Sequence, residues 1–251
     1  MSKFEQIVVE SQGPVAHIRL NRPGRHNAQT ETMWSELACA GAQLAGDGET
    51  RVAIVSGHGR SFSSGIDLAE MKPGGFLRRL GEYPKGDPDP MLPAIAIAQD
   101  SMRWMRDAPF LIVAAVHGNA IGAGCQLALA ADVRIVAEDA VFALKEVEYG
   151  LIPDLGATAT LTELVGTQRA LDLILTGRTV DGREAVRLGL ALEALPSDDV
   201  PGRAVDFAND VARNSRTAMS YVKAAVYERD YTRSLDLAGR GQAACIRERG
   251  L

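Results

Sequence analysis

The 251-residue sequence predicts a mixed α/β fold of stacked strand–turn–helix units with a helical C-terminal appendage. Two apolar, β-prone runs, residues 52–55 and 111–116, each lead into a glycine-bearing turn and then a helix, about 60 residues apart. From about residue 198 the β signal disappears and apolar residues recur at helical spacing instead.

Residues 7–10 and 15–20 flank Ser11-Gln12-Gly13-Pro14, a turn-rich spacer between β-prone runs, and predict a hairpin. Asn21-Arg22-Pro23-Gly24-Arg25-His26-Asn27 predicts a loop, and Met33, Leu37, Ala40 and Leu44 place one apolar face on a helix over 30–46. Strand 52–55 is followed by Gly57-His58-Gly59 and by Phe62-Ser63-Ser64-Gly65-Ile66-Asp67-Leu68, which turns towards a helix. Residues 73–93 carry nine prolines and glycines, from Pro73 to Pro93, so no long regular element is expected there and a lid-like loop is. Strand 111–116 leads through Gly118 and Ile121-Gly122-Ala123-Gly124-Cys125 into a helix at 127–130. Strands follow at 133–137 and 141–144, then helices at 157–164 and 168–175. In the appendage, Val205, Ala208, Val211, Met219, Val222, Val226, Leu235 and Leu237 supply the apolar positions of helices across 198–247. The expected division is a body over 1–197 and a helical region over 198–251.

Composition narrows the function. With 46% hydrophobic and 24% charged residues, the chain can bury a large core and is expected to be a soluble globular protein. A net charge of −5 without basic blocks gives no footprint for nucleic acid or an anionic membrane. The strongest apolar run, 111–116, falls far short of the roughly 20 residues that span a bilayer, and residues 1–5 do not resemble an export signal. Cys39, Cys125 and Cys245 are too few and too scattered for a disulfide framework or a metal site, so a reducing cytoplasm is the expected compartment.

Glycine-rich turns before helices offer unpaired N–H groups to negative charge. Gly118 to Cys125 lacks the Lys-Ser or Lys-Thr of a phosphate-binding loop, and Gly122-Ala123-Gly124 lacks the third glycine of a dinucleotide fingerprint. No Gly-x-Ser-x-Gly surrounds Ser64, so it does not read as a nucleophile. Two uses remain open for such turns: close packing of helix on strand, or reception of an oxyanion, where each donor is worth about 3 kcal/mol in a dry site.

Five segments in order resemble the crotonase superfamily of enoyl-coenzyme A hydratases and isomerases: Asn21-Arg22-Pro23…Asn27-Ala28; Phe62-Ser63-Ser64-Gly65-Ile66-Asp67-Leu68; Val116-His117-Gly118…Gly122-Ala123-Gly124-Cys125; Phe142…Glu146…Gly150-Leu151-Ile152-Pro153; and Leu175-Thr176-Gly177…Ala185…Gly189-Leu190. The resemblance implies a spiral of ββα turns, with the C-terminal helices engaged in trimers or dimers of trimers, and no permanently bound cofactor or metal. It implies an acyl-coenzyme A thioester as the partner, with coenzyme A entering only as part of the substrate. Backbone N–H groups of Ser64 and Ala123 are expected to form the oxyanion hole. Arg25, His26, Ala28, Gly65, Ile66, Asp67, Leu68, Gly122 and Gln126 are the expected substrate-binding positions.

Two departures shape the expected chemistry. Hydratases of this family carry glutamates at the positions of residues 126 and 146, whereas this chain has Gln126 and Glu146. Glutamine cannot ionise, and a missing general base costs about 10²- to 10⁴-fold. Asp154 falls where dienoyl isomerases place a catalytic aspartate and aromatic dehalogenases a nucleophilic one; it also suits a helix cap before Gly156-Ala157-Thr158. The resulting expectation is isomerisation of an enoyl or dienoyl thioester by Glu146 and Asp154. Hydration, hydrolase or dehalogenase chemistry and silent acyl-coenzyme A binding are the alternatives. Without the resemblance, Glu146 would read as a solvated strand end, Gln126 as a helix-surface residue, and His58 and His117 as structural histidines.

Overall fold

A computed structural model describes residues 4–250; residues 1–3, where part of the expected absence of an export signal is read, and residue 251 lie outside the described part. The hairpin forms as β1 (Ile7–Gln12) and β2 (Val15–Leu20), antiparallel with Ile7 opposite Leu20. Helix α1 (Glu31–Gly46) starts where Thr30 Oγ1 accepts the Met33 N–H at 3.2 Å, and it buries Met33, Trp34, Leu37, Ala40 and Leu44. After β3 (Val52–Gly57), the proline- and glycine-rich stretch holds the short α2 (Phe76–Leu80) and, in its last two residues, the start of the next helix. That segment is anchored, because Phe76 and Leu80 are buried and the Phe76 ring meets Trp34 edge-on at 5.3 Å.

The sequence reading missed α3 (Leu92–Asp107), which starts with Pro93 in its first turn, where a proline needs no N–H partner. Its buried Ala98, Ser101, Met102 and Met105 recur at helical spacing. The second unit follows as β4 (Leu111–Val116), β5 (Asn119–Ile121) and α4 (Ala123–Ala130), and the third as β6 (Val133–Ala137) and β7 (Val141–Ala143). Helices α5 (Ala157–Val165) and α6 (Thr167–Thr176) precede β8 (Val180–Asp181), α7 (Gly182–Leu188) and β9 (Glu193–Leu195). The C-terminal region is helical, as read: α8 (Val200–Val211), α9 (Arg216–Tyr227) and α10 (Tyr231–Arg249).

The strands divide between two sheets. One has the order β1-β2-β3-β4-β6-β9, parallel throughout except for the opening hairpin, and the other has the order β5-β7-β8. Each unit therefore gives one strand to the large sheet, one to the small sheet, and then a turn. Segment 61–66 joins the small sheet without becoming a full strand: Ser63 pairs with Ala120, its N–H donating to Asn119 O at 2.8 Å while Ile121 N–H donates to Ser63 O at 3.0 Å. Residue 63, β5 and β7 thus lie side by side and parallel, so the turns that follow them open at the same edge. This arrangement builds the site described below.

The core lies under the large sheet, where Ile18, Val52, Ile112, Val113, Ile135 and Val136 are almost completely buried. Helix α8 belongs to it, with Val200, Ala204 and Ala208 at 0% exposure. By contrast, α9 and α10 pack on each other and leave Val222, Val226, Tyr231 and Leu235 exposed. Among the described residues, no helix is long and apolar enough to cross a membrane.

Candidate active site

The three turns at the edge of the small sheet carry most of the expected residues. The first holds Ser64, Gly65, Ile66, Asp67 and Leu68, the second Gly122 and Ala123, and the third Glu146. Their closeness depends on glycine at two places. A Cβ on Gly65, whose φ is +95°, would lie 2.6 Å from Ile121 O, and one on Gly124 would lie 2.3 Å from Ser63 O. Either methyl group would push the first two turns apart.

One of the two N–H groups expected to receive an oxyanion is already engaged. Ser64 N–H donates to His26 O at 2.9 Å, so it is engaged within the protein. Two residues on, Ile66 N–H has no acceptor among the described residues, while the neighbouring Gly65 O and Asp67 N–H are both held by the Gln29 backbone. Ala123 N–H is also free among the described residues, because Gly122 precedes α4 without a capping side chain. A Cβ on Gly65 would sit 3.6 Å from Ala123 N, which places the free donors on adjoining walls. The available pair is therefore Ile66 and Ala123, and small-sheet pairing positions both.

Behind them stands Gln29, fully buried. Its Nε2 donates to Ala123 O at 3.1 Å and its Oε1 accepts the Trp34 Nε1–H at 2.8 Å, so one side chain ties α1 to α4. Asn27 is also fully buried: its Oδ1 accepts Arg22 N–H at 2.9 Å, and its Nδ2 donates to His58 O and Ser61 O. Asp67 accepts Ala69 N–H at 3.0 Å and pairs with Arg22 Nη1 at 2.9 Å, clamping the loop after β2 to the first turn. The Ala69 N–H, with the Arg22 charge adding to it, holds the Asp67 carboxyl below its usual range against the effect of burial. Gln29 was not singled out in the sequence and Arg22 was read only as part of a resembling segment, because nothing local marks an arginine or glutamine that bonds across 45 or 94 residues.

The expected substrate-binding positions divide by exposure. Arg25, His26 and Leu68 lie on the exposed rim, whereas Ala28 and Gly65 are buried behind it. His58 Nδ1 lies 3.1 Å from Asn21 Oδ1, and His117 Nε2 lies 2.8 Å from Gly59 O, so both histidines contact loop residues. Met102 and Met105 are core residues.

Glu146 opens a short turn just after β7 and faces the second turn, where a Cβ on Gly122 would lie 3.4 Å from its Oε1. Gln126 Nε2 donates to Glu146 Oε1 at 2.8 Å, while Oε2 is buried without a hydrogen-bond partner among the described residues. Burial pushes the Glu146 carboxyl above its usual range and the Asp154 charge adds to this; the Gln126 amide and the N–H groups of residues 145 and 146 oppose it. Burial also raises the Asp154 carboxyl. The site thus joins two free N–H donors and a partly desolvated carboxylate with one unoccupied oxygen, a combination suited to forming an enolate and moving its proton. Buried Cys125, at the back of α4, has its thiol pushed well up by desolvation and so stays protonated. No cluster of three or more metal-ligating side chains occurs among the described residues.

The chain belongs to the enoyl-CoA hydratase/isomerase family, whose profile matches residues 10–242. It is 34% identical over 226 residues to a Mycobacterium bovis protein named "Probable enoyl-CoA hydratase echA8", covering 89% of this chain and 81% of that one. It is 33% identical over 239 residues to the mitochondrial Delta(3,5)-Delta(2,4)-dienoyl-CoA isomerase of Rattus norvegicus, covering 91% and 71%. A Thermobifida fusca protein solved in complex with acetoacetyl-CoA superimposes with a TM-score of 0.88 at 34% identity, over 97% of this chain and 95% of that one.

Proposed function

We propose that the protein isomerises an unsaturated acyl-coenzyme A, shifting a double bond into conjugation with the thioester. The observation that carries this reading is Glu146, whose carboxyl group faces the turn that bears Ala123, with Oε1 3.4 Å from where a Gly122 Cβ would lie, and whose Oε2 is buried without a hydrogen-bond partner among the described residues. The N–H groups of Ile66 and Ala123 hold the thioester oxygen. Glu146 removes a proton from C2 of a 3-enoyl chain, the electrons delocalise onto that oxygen, and a proton returns at C4. In a 3,5-dienoyl chain it returns at C6. Glu146 or Asp154 delivers it, and no other reactant is needed.

Hydration is the second reading, favoured by the hydratase relatives. It asks for a base to activate water and an acid for C2. Position 126 can serve as neither, because its amide does not ionise and both of its ends are engaged. Arg25, His26 and Leu68 at the rim suit contacts to the nucleotide end of coenzyme A. Absorbance assays on 2-enoyl, 3-enoyl and 3,5-dienoyl thioesters test the proposal. Turnover of a 3-enoyl or 3,5-dienoyl substrate well above hydration of the 2-enoyl one is expected, and the reverse order would overturn it.

The apolar stripe Val222, Val226, Tyr231 and Leu235, left exposed on α9 and α10, is proposed to close against further copies of the chain in a trimer or dimer of trimers. Sedimentation at micromolar concentration is expected to show the oligomer, and a stable monomer would contradict it.

A further inference from the structure

We propose that Gln126 is a positioning residue: its amide brackets Glu146 to the backbone of Leu155, occupies Glu146 Oε1, and thereby fixes Oε2 as the oxygen that exchanges the proton. This deepens the isomerase reading and rests on it for the role of Glu146. Gln126 is 2% exposed, within an α4 that is buried from Ala123 to Leu129. Its Nε2 donates to Glu146 Oε1 at 2.8 Å, and its Oε1 accepts Leu155 N–H at 2.9 Å. The two bonds fix the amide's orientation, since a flipped amide would set NH₂ against an N–H and a carbonyl against a carboxylate. An ionised carboxylate at this position could hold Leu155 but could not donate to Glu146.

The bracket also sets where the second carboxyl group sits. Leu155 follows Asp154, whose own carbonyl accepts Gln99 Nε2 at 3.0 Å. The backbone around Asp154 is therefore held from two sides, by α3 through Gln99 and by α4 through Gln126. Gln126 links the residue that takes the proton to the segment that carries the other acid. A donor to the charged form of Glu146 also keeps that carboxyl lower than burial alone would leave it.

The test uses the full-length chain with Gln126→Leu and Gln126→Glu, each checked by thermal unfolding, with Glu146→Gln alongside. Gln126→Leu is expected to lower kcat on the order of 10²-fold by releasing the carboxylate from its geometry, with KM little changed. Its acid limb of kcat/KM should move to higher pH, because the charged form has lost a donor. Gln126→Glu sets a second carboxyl group against Oε1 and should move that limb higher still, the pair sharing a proton. It serves as the second variant if Gln126→Leu fails to fold. The Glu146 carboxylate band, taken as the infrared difference between a chain with and without Glu146, follows the same titration without turnover. A limb and a band at wild-type pH in both variants would overturn the positioning role. Retained activity in Glu146→Gln would instead remove the base assignment, while a shifted band would still stand.

Discussion

Glu146→Gln is expected to lower isomerisation of a 3-enoyl or 3,5-dienoyl thioester by about 10²- to 10⁴-fold, the range for losing a positioned general base. Substrate binding should be nearly unchanged, because in the proposed mechanism the thioester oxygen is held by the N–H groups of residues 66 and 123, which have no acceptor among the described residues. The pH dependence carries the same signature. The base works only when deprotonated, and burial holds its folded-state pKa above the ordinary glutamate value. In the wild type, activity should therefore fall, as pH drops, at a higher pH than an exposed glutamate would give. Stability runs the other way: an acid whose pKa is raised by folding favours the folded state below its unfolded pKa and loses that contribution as pH rises through the folded value. At neutral pH the glutamine variant should accordingly unfold at a temperature equal to or above that of the wild type. Full turnover in Glu146→Gln, with the acid limb unchanged, would remove Glu146 from the reaction.

Much of this architecture was legible because it rests on local pattern. The β-branched run at 133–137 gave β6 with the same bounds, and one apolar face gave α1 to within a residue. The small sheet was harder: its β7 was read at 141–144, but β5 and β8 span three and two residues, too few for an alternating pattern to register. Helix α3 was hidden behind a run of prolines, although its first turn tolerates one. The engagement of Ser64 N–H by His26 was hidden for a different reason. Sequence shows which residues carry N–H groups, but not which of them a distant carbonyl engages, and here His26 reaches across 38 positions. The pairing of Gln126 with both Glu146 and Leu155 is hidden in the same way, as it exists only once α4, the turn after β7 and the start of α5 have met.

Lys223→Met is the second substitution expected to have a large effect, and it acts on stability. Lys223 and Asp132 are each 7% exposed at the side chain, and their charged atoms lie 2.8 Å apart. The ammonium also donates to Met105 O at 2.6 Å and Phe110 O at 3.0 Å, so three acceptors surround it. Asp132 accepts Ile112 N–H at 2.7 Å and the Tyr227 hydroxyl at 2.7 Å. Methionine fills most of the volume but leaves a buried carboxylate without its cation and two carbonyls without a donor, a loss of about 3–5 kcal/mol for one partner of a buried pair. Urea unfolding at fixed protein concentration measures it, since any assembly would couple stability to concentration. Adding Asp132→Asn should recover part of the loss, because the asparagine oxygen can still accept from Ile112 N–H while its NH₂ donates to the Tyr227 hydroxyl oxygen, without a stranded charge. A loss under about 1 kcal/mol in the single variant would show that the pair contributes little. The effect should reach the site as well: Asp132 lies two residues beyond the end of α4, so the contact that fastens α9 to the body also steadies the helix whose first N–H, that of Ala123, is proposed to hold the thioester oxygen.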